Sequence, residues 1–140
     1  LLNMGTPNYL ISAALTLVMA QRLARKNCAD CSEVDENITP KLLNDIGMDT
    51  ALHDRAKIYR GKGCEKCGNS GYKGRMGIYE ILLVDRDLKN GILQNLTQAE
   101  LTTIAKKNGF RTMQEMGHDL LLSGDLSYSE FDRVIQAETN

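Results

Sequence analysis

The chain opens on an apolar run, Tyr9 to Ala20, that gives way at once to Gln21, Arg22, Arg25 and Lys26. With Thr6 as an N-cap, Pro7 in the first turn and no breaker before Asn27, this pattern predicts one helix over residues 7–26, apolar in its middle and cationic in its last turn. An acidic loop, Asp30 to Asn37, follows. Thr39-Pro40-Lys41 then places a cap and an N1 proline before Leu42-Leu43-Asn44-Asp45-Ile46, a short helix stopped by Gly47. Alternation over Lys57 to Arg60 predicts a short strand. The β-branched and apolar stretch Ile78 to Val84 predicts a second, paired with the first. Between them the stretch Gly61 to Gly77 holds six glycines and has no helical period. Beyond Val84 helix follows helix. Asp85 or Asp87 caps one that reaches Leu96, and Thr97-Gln98-Ala99-Glu100 is a capping box for a helix ending at Asn108 and Gly109. Met113 to Leu122 forms another, and Ser127-Tyr128-Ser129-Glu130 opens a last helix to Ala137.

The 140 residues are enough for one domain or two small subdomains. A content of 42% hydrophobic and 25% charged residues is globular. The net charge of −1 conceals a strong asymmetry: residues 1–54 carry −3, residues 55–75 carry +6 and residues 76–140 carry −4. Arg55, Lys57, Arg60, Lys62, Lys66, Lys73 and Arg75 form the cationic block. The apolar run at Tyr9 is too short for a membrane span, which takes about 20 residues, and no basic region precedes it as in a signal peptide. The opening Leu1-Leu2-Asn3-Met4-Gly5 reads as the middle of a longer protein.

The four cysteines, Cys28, Cys31, Cys64 and Cys67, form two Cys-x2-Cys pairs separated by 32 residues. Two residues between thiolates let a tight turn aim both sulfurs at one point, and two such turns complete a tetrahedral S4 shell for Zn(II). Other chemistry is open to four cysteines. A redox dithiol needs only one pair, a disulfide framework suits an oxidising compartment, and an iron-sulfur cluster has the same ligand count. Four sulfurs leave no coordination position for a catalytic water. The reading is therefore a structural site, in a chain that is mainly α with a small β-hairpin: a zinc-stabilised tetracysteine knuckle followed by a C-terminal helical bundle. In domain terms this gives a helix over residues 1–27, a metal-binding subdomain over 28–84 and a helical subdomain over 85–140.

No catalytic residue is nominated. His53 and His118 lack a partner at metal-ligand spacing. Asp85, Asp87, Asp119 and Asp125 sit at helix starts or between helices, where capping and solvation account for them. Met113 and Met116 read as core filling. Gly61-Lys62 fails as a Walker A loop, because Ala56 stands where the first glycine belongs and Gly63 where the hydroxyl residue belongs. Gly71-Tyr72-Lys73-Gly74-Arg75-Met76-Gly77 fails as a dinucleotide fingerprint, having the wrong glycine spacing and running into a strand. A zinc-ribbon-like nucleic-acid module is the alternative raised by the cationic block, although Tyr59 and Tyr72 make a thin stacking platform.

Met4-Gly5 before the first helix, Gln21-Arg22-Leu23, the four cysteines, Gly63-Cys64-Glu65-Lys66-Cys67 and Gly71 through Glu80 together resemble the C-terminal region of GspE/PilB-type ATPases. These are the hexameric motors of type IV pilus assembly and type II secretion. Retraction motors of that superfamily generally lack the tetracysteine insert, so the resemblance points to assembly or secretion. It implies a parent ATPase using ATP and Mg(II), with its Walker motifs and sensing arginines upstream of Leu1, and with residues 1–27 ending the catalytic core. It further implies partners in a homohexamer and in an inner-membrane platform protein, a cytoplasmic location at the inner membrane, and neither a membrane span nor nucleic-acid binding in this segment. Gln21 and Arg22 are candidate subunit or nucleotide contacts, and Lys62, Lys66, Lys73 and Arg75 candidate partner contacts.

Overall fold

A computed structural model of the chain describes residues 4–48 and 57–136. His53 and Arg55, and the expected end of the last helix at Ala137, lie outside the described residues. Among those described, six helices and four strands run in the order α1 (Asn8–Ala14), β1 (Leu17–Asn27), β2 (Ser32–Val34), α2 (Pro40–Asp45), β3 (Tyr59–Gly61), β4 (Tyr72–Leu83), α3 (Arg86–Leu93), α4 (Gln98–Lys107), α5 (Met113–Leu122) and α6 (Tyr128–Val134). Among the described residues no helix is long and apolar enough to cross a membrane.

The long first helix is not formed. Helix α1 covers only seven residues and Leu15 is already extended, after which β1 continues for eleven. Leu, Met, Ala, Gln, Arg and Lys all favour helix in isolation, but a partner strand overrides that preference. The partner is β4. Val84 N–H donates to Thr16 C=O at one end and Cys28 N–H to Gly71 C=O at the other, so the two strands run antiparallel. The expected pairing of residues 57–60 with 78–84 is likewise replaced. Strand β3 pairs antiparallel with β2, with Ser32 opposite Gly61, Glu33 opposite Arg60 and Val34 opposite Tyr59. Among the described residues the β content is thus two separate two-stranded sheets, one of them long, instead of one small hairpin.

The later helices follow the sequence signals. Thr39 caps α2, Asp85 caps α3 and Ser127 caps α6 through their side chains, while Thr97 and Glu100 form a reciprocal box at α4.

The chain divides into two compact units, each assembled from separated segments. One comprises residues 1–20 with 79–112, and the other residues 21–78 with 113–140. Each unit draws on both β1 and β4, which are far apart in the chain and paired with one another. The first unit has a small core of Val84, Leu88 and Ala105, with Leu15, Leu82, Ile92, Leu101, Ile104 and Phe110 packed around it. The second has the larger core, including Ala24, Ile46, Ile58, Ile78, Leu121, Leu126 and Phe131, all at most 2% exposed. The cysteines belong to this second unit.

Candidate metal centre

Each cysteine pair is built on a single turn of 3-10 helix, Ala29–Cys31 in one case and Glu65–Cys67 in the other, with the first cysteine as the flanking extended residue. Such a turn brings residues three apart onto the same side. The second turn ends at Gly68 in the left-handed region, φ 60°, where a side chain is disfavoured. Strand β1 delivers Cys28 directly, and Lys62 N–H donates to Cys31 C=O, tying the end of β3 to the first turn.

The two arms then cross at Gly61 and Gly71. A Cβ on Gly71 would stand 2.4 Å from the Gly61 carbonyl oxygen, and one on Gly61 would stand 1.8 Å from that of Gly71. The turns converge only because neither position has a side chain.

As a result the four Sγ atoms lie within 4.8 Å of one another. Cys28 and Cys64 are separated by 3.9 Å, Cys31 and Cys67 by 3.9 Å, and Cys64 and Cys67 by 3.7 Å. A tetrahedral metal with metal–sulfur bonds of about 2.3 Å requires sulfurs about 3.8 Å apart. None of the cysteines is in a disulfide. Cys28 is buried and the other three are partly so.

Backbone N–H groups are aimed at the sulfurs. Gly63 donates to Cys31 Sγ at 3.3 Å, Cys64 to Cys67 Sγ at 3.2 Å and Gly71 to Cys67 Sγ at 3.3 Å. Burial pushes the Cys67 thiol up, but the N–H groups of Cys64 and Gly71, with the adjacent thiols of Cys64 and Cys31, outweigh it and hold the group down at about 6. Cys31 is pushed up to about 12, first by burial and then by its thiol neighbours, against the Gly63 N–H. Ionising all four sulfurs calls for a cation at their centre, and the donor set and its spacing fit a thiophilic dication.

Asp30, inside the first turn, clamps the outer side of the cluster. Its carboxylate accepts from Lys66 Nζ at 2.5 Å and lies 3.8 Å from Lys73 Nζ. The hydrogen bond from Lys66 is the main cause holding Asp30 below its ordinary value; burial opposes it. Two of the four candidate partner lysines and arginines are therefore already paired within the chain. Arg60, from the same cationic block, pairs with Glu33 and lies near Asp35. Lys62 is exposed near the cysteines. Arg75 lies elsewhere, lining a depression with Arg25 and Arg133. Gln21 and Arg22 are exposed positions of β1, not the end of a helix.

His118 is remote from the sulfurs: its Nε2 is 2.9 Å from the Ile46 carbonyl oxygen, and its ring stacks on Phe131. Sequence reasoning missed Asp30, which looked like one acid among several in a loop, and the sulfur-directed N–H groups of Gly63 and Gly71. The glycines were visible; the crossing that demands them was not.

The sequence matches the family of Type II/IV secretion system proteins over residues 1–133. The chain belongs to that family. It is similar to the type IV pilus assembly ATPase PilB of Thermus thermophilus, with 38% identity over 127 residues that cover 91% of this chain and 14% of the relative. PilB of Pseudomonas aeruginosa is 36% identical over 134 residues, covering 96% of this chain and 23% of the relative. Type II secretion system protein E of Dickeya dadantii is 36% identical over 139 residues, covering 97% and 26%. The chain therefore spans between 14% and 26% of the length of these relatives.

Proposed function

We infer that this chain is the zinc-bearing portion of a hexameric ATPase that powers type IV pilus assembly or type II secretion at the inner membrane. The observation that carries the reading is the closed set of four sulfurs, at spacings suited to a tetrahedral metal, in a chain of the secretion family. Cys28, Cys31, Cys64 and Cys67 would hold Zn(II), which when bound supplies a crosslink between the two turns and leaves no coordination position for a substrate. A glycine-rich excursion of this length buries too little apolar surface to order itself, whereas a tetrathiolate zinc contributes on the order of ten kcal/mol in small peptides.

In this reading the chain has no catalytic residue. ATP and Mg(II) are handled by motifs outside these 140 residues, and the isolated chain is expected not to hydrolyse ATP. Its partners are neighbouring subunits and the membrane platform, with exposed Lys62 as a candidate contact. Pairing of Arg60, Lys66 and Lys73 with Glu33 and Asp30 favours this over nucleic-acid binding, which draws on unpaired cations.

Elemental analysis and cobalt substitution test the metal. One equivalent of zinc per chain, and a thiolate-to-cobalt charge-transfer band that weakens in Cys64→Ser, are expected; a folded protein that holds no metal and ignores chelators would refute the assignment.

A further inference from the structure

The second unit carries a further arrangement of charge, away from the cysteines. Arg25 on β1, Arg75 on β4 and Arg133 on α6 line one open depression of about 460 Å³, with Leu23 and Ala24 completing its wall. Beneath two of the arginines lies Glu130, whose side chain is fully buried. Arg25 donates to Glu130 Oε2 from Nε at 3.0 Å and from Nη2 at 2.8 Å, and its backbone N–H donates to Oε1 at 2.8 Å. Arg133 donates to Oε2 from Nε at 3.0 Å and to Oε1 from Nη2. Arg25 also stacks on the Tyr72 ring, 4.1 Å from its centroid, while the Tyr72 hydroxyl is fixed by Ser127 and Ser129.

Both guanidiniums are consequently held before anything binds, yet neither is used up. A guanidinium has five N–H donors, and the buried carboxylate engages only the Nε edge of each, leaving Nη1 uncommitted. Their side chains are 48% and 54% exposed. Arg75 is exposed, and its guanidinium has no hydrogen-bond or ion-pair partner among the described residues. Three guanidiniums against one carboxylate leave the depression with a charge of +2. Lysine contributes nothing to it, and the planar fork of arginine matches the oxygen pairs of a tetrahedral oxyanion.

We propose that Arg25, Arg75 and Arg133 form a binding site for a phosphate dianion, free or as the terminal group of a phosphate monoester. The buried Glu130 acts as a positioning residue that aims two of the three forks and lowers the ordering entropy lost on binding. The site is independent of the metal reading, since no cysteine takes part in it.

The test uses the 140-residue chain with its metal, labelled with 15N at arginine. Titration with inorganic phosphate near neutral pH is expected to shift the Nε–Hε resonances of all three arginines together and saturably. Arg75→Gln should weaken binding about tenfold or more, the loss of one charge-assisted hydrogen-bonded fork, with the amide spectrum otherwise unchanged. Leu23→Asp, which sets a carboxylate on the rim, should weaken it as well. Adenosine monophosphate separates the sources: equal affinity means the phosphate group alone is read, and tighter binding with shifted Leu23 methyl resonances means that the ester is read too. Succinate is the comparator. Unsaturable shifts, the same affinity in Arg75→Gln and Leu23→Asp as in the unmodified chain, or succinate binding as tightly as phosphate would overturn the proposal.

Discussion

Glu130 was visible in the sequence as the fourth member of a capping box at Ser127. Half of that box forms: Glu130 N–H donates to Ser127 Oγ at 3.3 Å. The carboxylate does not turn back to cap the helix but takes Arg25, over a hundred residues earlier in the chain, together with Arg133. Local spacing finds the cap, whereas the ion pair depends on β1 being a strand beside α6, which no local pattern encodes. Burial alone would push the Glu130 carboxyl up; the hydrogen bonds from Arg133 and Arg25 outweigh it and hold it down to about 2 from an ordinary 4.5. A carboxyl depressed on folding stabilises the protein above the unfolded value and loses that contribution as pH falls through the folded one. Glu130 therefore contributes fully above about pH 5, and less as acid is added down to about 2, by at most about 3 kcal/mol because its arginine partners are half in solvent. Glu130→Gln is expected to cost about 2 kcal/mol at neutral pH and to flatten this acid limb. Urea unfolding at a series of pH values checks both.

At the scale of elements, what was legible followed from capping chemistry and what was not followed from strand pairing. The starts of α2, α3, α4 and α6 were set by Thr39, Asp85, Thr97 and Ser127, whose side chains reach only to their own first turn. The run Leu17–Asn27 shows no alternation, because most of β1 is exposed on both faces and only Ala24 and Asn27 are buried. A strand without alternation cannot be told from a helix by period. The four sulfurs were legible from spacing alone; the turns that aim them needed the structure. Thr97→Ala should cost about 1 kcal/mol, measured by thermal or urea unfolding, since it removes the oxygen that accepts from Glu100 N–H while leaving the α4 interior intact. Gly71→Ala is a different matter. The added methyl would stand 2.4 Å from Gly61 oxygen at φ +77°, and the backbone shift it forces would draw the Gly71 N–H from Cys67 Sγ and its carbonyl from Cys28 N–H. A loss of about 3 kcal/mol or more is expected, with weaker metal retention in competition against a chromophoric chelator.

For the molecule as a whole, two cores predict two responses to metal removal. The turns at Cys28–Cys31 and Cys64–Cys67, with β2 and β3, have little apolar burial of their own, whereas α3 and α4 pack around Leu88 and Ala105. Stripping the metal should raise amide exchange across residues 28–34 and 57–71 while protection in 86–107 stays within about twofold, as expected of separate cooperative units. Hydrogen exchange read by mass spectrometry decides this, and uniform loss of protection would contradict it.

The discontinuous make-up of the two units also fixes an order in time. A nascent chain emerges from its N-terminus, and both Cys-x2-Cys turns are out once Ser70 has left the ribosome. The unit that contains them still lacks α5, α6 and the carboxylate of Glu130 at that point. The other unit has every one of its segments by Thr112, before the first residue of α5 is made. The cysteine-bearing unit is therefore the last to be completed although its sulfurs are among the first groups ready. For the length of chain between Ser70 and Glu130, the β2–β3 and then the β1–β4 pairings can already hold those turns, and the carboxylate that anchors Arg25 arrives after both.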